Sequence, residues 1–339
     1  MAIARSWRMG QKPDGPYEAR LSDVPALNRV FSDSFTERYR RDGLVGVRVP
    51  SLNPAIWRYA MEDADGGAML WRDERDDIVA FNVVHCSGCE GWMGPLAVRP
   101  DAQGTGVGTR IVRAGVDWLE TRQASPIGLE TMPRTMDNIG FYSRIGFIPN
   151  RLTITMTIDA LHGSHPPTLL GRMGMRDRDD ALGECRALLD RLLPGYDFTR
   201  ELLLTTELGL GDTLLFRERG ELVGFGLCHT TPLVEGRIRD ETRVLKLVLA
   251  RGALLREAVT ALADFARRHG TRRAAFRVQT EYVEAYRSLV AFGAQVRWTD
   301  LRMTLEGHPE RRPGVAAGSP NEAGLPDSER GLVWSNWEI

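Results

Sequence analysis

Lysine is almost missing from this chain. Lys12 and Lys246 are the only two among 339 residues, so nearly every cation is an arginine. With a formal net charge of -1, the chain has no overall pull toward nucleic acid or an anionic membrane, and neither partner is expected. The arginine bias reads as the mark of a GC-rich genome. Cysteine is sparse as well: Cys86, Cys89, Cys185 and Cys228 are too few for a disulfide framework and fit a reducing compartment. Ser87-Gly88 between the first two suits a hairpin turn, and no second C-x-x-C or H-x-x-H follows, so no metal is expected. No apolar run approaches the ~18 residues of a membrane span. The first thirty residues lack an apolar signal core of about 7 to 15. These absences make a cytoplasmic location the expectation.

What is present is an ordinary globular composition, 42% hydrophobic and 26% charged, in a chain long enough for about two domains. Residues 1–15 read as a lead-in interrupted by Gly10, Pro13 and Gly15. Residues 16–158 open with a helix starting near Ser22-Asp23-Val24-Pro25, whose apolar side is Leu27, Val30, Phe31 and Phe35. A hairpin is predicted from Gly67–Arg72 and Ile78–Cys86, a third strand over Trp92–Val98, and a helix from about Thr109. Another strand over Pro126–Thr131, a short helix over Asn138–Arg144 and a strand over Leu152–Ile158 complete the pattern.

Residues 159–172 read as a linker with Gly163, Ser164, His165, Pro166 and Pro167. The plan then repeats over 173–306. At an offset of 147, Val112 pairs with Val259, Asp117 with Asp264, Gly146 with Gly293, and Met156-Thr157 with Met303-Thr304. At 144, Val79 pairs with Val223, Phe81 with Phe225 and His85 with His229. A histidine shared by both copies reads as structural. Residues 307–339 form a tail rich in Pro, Gly and charge. It carries Trp334 and Trp337, which either dock on the protein or belong to a loosely held terminus.

The stretch Val98 to Arg110 places Gly104, Gly106 and Gly108 where a strand turns into a helix N-terminus. Unpaired amides and the positive end of the helix dipole make such a turn attractive to phosphate, and glycine leaves those amides open. A tight connection with no ligand uses the same residues. The spacing is not that of the dinucleotide fingerprint, and no Lys-Ser/Thr follows as in a Walker loop.

The loop resembles the acyl-CoA loop of the GNAT N-acetyltransferase superfamily, Gln/Arg-x-x-Gly-x-Gly/Ala, met by Gln103, Gly106 and Gly108. The segment Asn138-Ile-Gly-Phe-Tyr-Ser-Arg-Ile-Gly-Phe147 resembles a second motif of that family. The resemblance implies an α/β (α+β) fold of two tandem copies, each a mixed, mostly antiparallel twisted sheet flanked by helices. It also implies acetyl-CoA as co-substrate. The backbone of Leu96, Ala97 and Val98 would pair with the pantetheine arm, and amides of Gln103, Gly104, Thr105, Gly106, Val107, Gly108 and Thr109 would hold the pyrophosphate. Asn138 matches a position contacting the CoA arm, and Tyr142 the phenol facing the thioester sulfur.

Acyl transfer to an amine requires a neutral nitrogen, a stabilised oxyanion and a thiolate that can leave. Proton transfer from a phenol of pKa about 10 to a thiolate of about 8.5 is uphill by about 2 kcal/mol, so Tyr142 is expected to act partly by hydrogen bonding. Glu130 reads as the base, or as an ion-pair partner of Arg134. Tyr39 and Trp57 read as a substrate wall, or as residues packing a helix onto the sheet. In the second copy Ala253, Leu255, Ala285 and Leu289 stand where Gly106, Gly108, Asn138 and Tyr142 stand in the first, so one working site beside a degenerate copy is expected. The expected function is acetyl-CoA-dependent N-acetylation of a primary amine on a small molecule, with a homo-oligomer allowed. A non-catalytic acyl-CoA-binding regulator and a protein or peptide N-acetyltransferase are the alternatives.

Overall fold

The computed structural model describes residues 13–163, 166–313 and 328–337. Most of the lead-in, Ser164 and His165 of the linker, and residues 314–327 and 338–339 of the tail lie outside them. The first half runs β1 (Asp14–Glu18), α1 (Val24–Arg41), α2 (Pro54–Ala64), β2 (Ala68–Arg72), β3 (Ile78–Ser87), β4 (Glu90–Val98), α3 (Val107–Thr121), β5 (Ile127–Thr131), α4 (Met136–Ser143) and β6 (Phe147–Asp159). The second half repeats the order with β7 (Thr168–Leu169), α5 (Met175–Leu192), α6 (Thr199–Glu207), β8 (Gly211–Glu218), β9 (Glu221–His229), β10 (Glu241–Leu249), α7 (Leu255–Arg268), β11 (Arg273–Gln279), α8 (Val283–Ala291) and β12 (Gln295–Leu305). A last strand, β13 (Leu332–Ser335), comes from the tail. The elements expected from periodicity are all present. The largest boundary difference is β6, which begins at Phe147 because its first residues pair with the far end of β12.

In the first half α1 and α2 cover one sheet face, where Val24, Leu27, Val30, Trp57 and Ala60 meet Leu70, Phe81 and Ala97. On the other face Ile111, Val112 and Leu119 of α3 meet Val84, Met93 and Leu129. The buried positions of α3 recur every three or four residues, the helical spacing that lays one stripe on a sheet. A Cβ on Gly115 would lie 2.6 Å from the Asn82 amide and the Met93 sulfur. The second half solves this contact in reverse, with Leu262 at the Gly115 position and Gly226 opposite it at the Asn82 position, where an added Cβ would lie 3.1 Å from Leu262.

All strands join one sheet in the order β1-β2-β3-β4-β5-β12-β6-β11-β10-β9-β8-β7, with β13 on β10. Among the described strands only β4 with β5 and β10 with β11 are parallel. The two last strands have changed places. β12 of the second half lies between β5 and β6 of the first, and β6 lies between β12 and β11 of the second. The sheet is therefore continuous across the linker, and neither half owns both neighbours of its final strand.

Charged groups are buried where the halves meet. Lys246 is 1% exposed; its ammonium donates to Ser335 Oγ at 2.8 Å and lies 3.7 Å from Glu201. Ser335 donates to Glu90 at 2.7 Å, and Ser87 donates to Glu201. His85 is buried against Asp63 at 2.9 Å and stacked on Trp337, so it serves packing, and Trp334 is buried on β13. The two tail tryptophans are thus docked.

Two outcomes follow from this arrangement. Residues 13–163 made without the second half leave β6 with neither of its ladder partners, so that fragment is expected to aggregate or self-associate. A monomeric fragment with a single sharp unfolding transition would contradict the exchange. Burial pushes the Glu201 carboxyl from 4.5 up to about 8, Asp63 adding to the rise and Lys246 opposing it. A value raised on folding gives stability that is full below about 4.5 and is lost as pH rises through about 8. Glu201→Gln should flatten the fall in urea-unfolding free energy between pH 5 and pH 8; an unchanged slope rejects this assignment.

Candidate functional site

β4 and β5 hydrogen-bond only from Gly91–Met93 to Ile127–Leu129 and then part. Pro95, which has no N–H to donate, stands where the ladder ends. Beyond it Leu96, Ala97 and Val98 pair with Asn82, Phe81 and Ala80 of β3 on one side and face an opening on the other. The opening is a cleft of about 580 Å³ between β4, the glycine turn, β5, α4 and the C-terminal end of α1, with Asp300 of β12 at its lining.

The turn takes its shape from its own side chains. Gln103 Nε2 donates to the Val98 carbonyl at 2.9 Å and Thr105 Oγ1 to the Ala102 carbonyl at 2.7 Å. Gly104 and Gly106 have φ of +79° and +88°, which side chains rarely tolerate, and a Cβ at either would project into open space. Gly108 serves packing, since a Cβ there would meet Phe141 at 3.2 Å. α3 begins at Val107, so the amides of Val107, Gly108 and Thr109 are first-turn donors with no partner earlier in the helix. The geometry is that of an anion-binding helix terminus.

Across the cleft, Asn138 Nδ2 lies 3.5 Å from Thr131 Oγ1, and Tyr142, 6% exposed, packs against Phe141 and Phe147. Burial drives the Tyr142 phenol well above its ordinary value, so it stays protonated and neutral. Glu130 lines the cleft but is tied down: Arg277 and Thr153 donate to it, the latter at 2.6 Å, and Arg302 lies 3.5 Å away. Burial raises its carboxyl, but Arg277, Arg302 and the Thr153 hydrogen bond outweigh that and hold it below the ordinary range. Both arginines belong to the second half. The partner weighed for Glu130, Arg134, instead donates to the Asp42 carbonyl.

Trp57 is no substrate wall. It is 0% exposed, donates to Asn28 at 2.8 Å and packs edge-on against Phe81. Its position on the inner stripe of α2 sends the ring into the core. Tyr39 is half-buried, and its phenol is raised by burial and by the charge of Asp300. Sequence reasoning missed Asp300, Arg277, Arg38 and Arg144. Arg144 sits two residues after Tyr142 in the quoted motif and was open to notice. Asp300 reaches the cleft, and Arg277 reaches Glu130 and Asp300, only because the final strands exchange.

In the second half the corresponding strand edge is occupied, beside a cleft of about 450 Å³ lined by Ala253, Leu255, Tyr282, Ala285 and Leu289. Leu247, Val248 and Leu249 occupy the positions of Leu96, Ala97 and Val98 at an offset of 151, and they pair with Trp334, Val333 and Leu332 of β13. At the second helix start, Gly252 N donates to the Arg330 carbonyl at 2.8 Å and Ala253 N to the Ser328 carbonyl at 2.9 Å. Tyr282 hydrogen-bonds the Val333 carbonyl at 2.9 Å.

Residues 28–147 match the Acetyltransferase (GNAT) family, a stretch that includes the glycine turn, β5 and α4. No curated protein matches the chain. Among solved structures, a Pyrococcus horikoshii protein described as an acetyltransferase is 16% identical with a TM-score of 0.61, over 90% of this chain and 92% of that one. A GCN5-related N-acetyltransferase from Sphaerobacter thermophilus is 17% identical with a TM-score of 0.52, over 87% and 96%. A tandem GNAT protein from the clavulanic acid biosynthesis pathway is 12% identical with a TM-score of 0.55, over 88% and 98%. At such identities the likeness shows the fold alone: two GNAT-like domains in tandem, the first of them the one the family model matches.

Gly106→Leu would force a left-handed backbone on a branched side chain and push it toward the open side of the turn. Affinity for CoA, measured by calorimetry, is expected to fall about tenfold or more, equivalent to about 1.4 kcal/mol. Unchanged affinity would show that the turn holds no pyrophosphate.

Proposed function

We propose that the first-half cleft binds acetyl-CoA and transfers its acetyl group to a primary amine of a small molecule, both substrates being bound together. One observation carries this reading: a strand edge with free backbone groups, Leu96–Val98, leads into an open glycine turn at a helix N-terminus, and a buried phenol lies across the cleft. In this reading the free edge pairs with the pantetheine arm. The amides from Gln103 to Thr109 hold the pyrophosphate, with the Arg144 charge in the same cleft. Asn138 steadies the arm near the reacting end. The wall that α1 and Asp300 add on the acceptor side favours a small acceptor over a polypeptide.

Tyr142 faces the sulfur in this reading. Its raised proton affinity makes it a poorer acid than a free phenol, so its contribution is a hydrogen bond to the leaving thiolate. Glu130, held in an ion pair with lowered proton affinity, is a weak base and supplies fixed negative charge beneath the acceptor site. The second half is read as non-catalytic, because β13 occupies the strand edge and tail carbonyls take amides at the helix start. Its service to the reaction is structural: it supplies β12 and the arginines that hold Glu130.

The reaction is tested by incubating the chain with acetyl-CoA and a panel of amines and following free thiol. Amine-dependent release is expected; binding of acetyl-CoA with no release for any amine would leave a binding protein and reject transfer. Tyr142→Phe should cut turnover about tenfold or more while leaving acetyl-CoA affinity within about twofold. Equal turnover would remove Tyr142 from the chemistry.

A further inference from the structure

We propose that Asp300, carried into the first-half cleft on β12 from the second half, receives the acceptor's amino group and takes its proton as the new amide bond forms. The proposal rests on the acyl-transfer reading above and supplies the base that reading lacks.

Three described carboxylates line the cleft: Glu130, Asp137 and Asp300. Asp137 lies at the rim, its side chain 79% exposed and paired with Arg38 at 3.2 Å. Glu130 is held by Arg277 and Thr153, with Arg302 close by. Asp300 faces one arginine fewer. One oxygen accepts from Arg277 at 2.9 Å and the other from Trp298 Nε1 at 3.1 Å, and its side chain is 17% exposed, close to the 20% of Glu130. A carboxylate has about four acceptor sites, so Asp300 retains room for an incoming N–H.

Asp300 and Glu130 share the guanidinium of Arg277, and Arg302 lies 3.5 Å from Glu130, so Asp300 is the carboxylate with the smaller share of positive charge. The groups facing Asp300 are Arg277 from β11, Glu130 from β5, Tyr39 from α1 and Trp298 from its own strand. Burial pushes the Asp300 carboxyl above its ordinary value, Arg277 opposing and Glu130 assisting. The shift strengthens Asp300 as a proton acceptor, in contrast to Glu130.

In the step itself the amine lone pair attacks the thioester carbonyl carbon and the C–S bond breaks. The nitrogen's proton passes to the Asp300 carboxylate and on to solvent, while the thiolate leaves with a hydrogen bond from Tyr142 and gains a proton from water. One amine and one thioester become one amide and one thiol. An acceptor arriving as ammonium first passes one further proton through Asp300 to solvent, a step that a neutral amine does not need.

The test uses the full chain, acetyl-CoA and an amine that the wild type acetylates. Asp300→Asn keeps an oxygen for Arg277, so fold and acetyl-CoA affinity are expected to persist. Its kcat/KM for the amine at pH 7 should fall about 100-fold. The deficit should narrow as pH rises through the amine's own pKa, where the acceptor arrives neutral, and Asp300→Glu should regain part of the rate. Activity within twofold of wild type, or a deficit equal at every pH, overturns the proposal. If Asp300→Asn does not fold, Asp300→Glu decides: lowered kcat with Tm kept supports the role, and unchanged kcat rejects it. A wild type that binds acetyl-CoA but releases no thiol with any amine overturns the transfer reading and this proposal together. Thiol release indifferent to both variants overturns this proposal alone.

Discussion

The antiparallel pairing of β6 with β12 is the contact on which the molecule depends. It runs from Phe147 opposite Leu305 to Thr157 opposite Gln295. Each strand then meets a strand of the other half on its far side, so the ladder carries the sheet through the middle of the chain without an edge there. This pairing closes the outer side of β5, brings Arg277 and Arg302 to Glu130, and places Asp300 in the cleft.

The same plan, used twice, ends in two different clefts. Both arise where two parallel strands part after a few residues. In the first half the freed strand edge leads to a turn whose glycines leave the helix amides open. In the second, the chain's own tail supplies a strand for that edge and carbonyls for the helix start. Backbone groups left unpaired in an apolar setting are costly, so pairing with the tail stabilises that edge. Ser335 of that tail strand is held by Lys246 of β10 and by Glu90 of the first half.

Much of the fold was legible because its signals are local. The helical stripe of Ile111, Val112 and Leu119, Pro25 at the start of α1, and the Ser87-Gly88 turn each depend on residues within a few positions of one another. The glycine turn was legible for the same reason, as was the absence of its glycines from the second copy. Trp57 was not resolved from sequence, since an aromatic on a helix beside a cleft faces core or solvent according to a rotation of the helix that its neighbours decide. Glu130 was read as a base or as a partner of Arg134, four residues away, whereas the arginines that pair with it lie more than a hundred residues downstream.

By itself, then, the sequence determined a duplicated α/β plan and a glycine turn in the first copy whose glycines the second copy lacks, all encoded in short-range spacing. Tertiary structure alone decided which arginines meet Glu130, that Asp300 lines the first cleft, and which strand pairs with the freed edge of the second copy. Those outcomes depend on strand exchange and on a tail that folds back. Both are long-range pairings whose register is set by burial on the sheet and leaves no periodic trace in the chain.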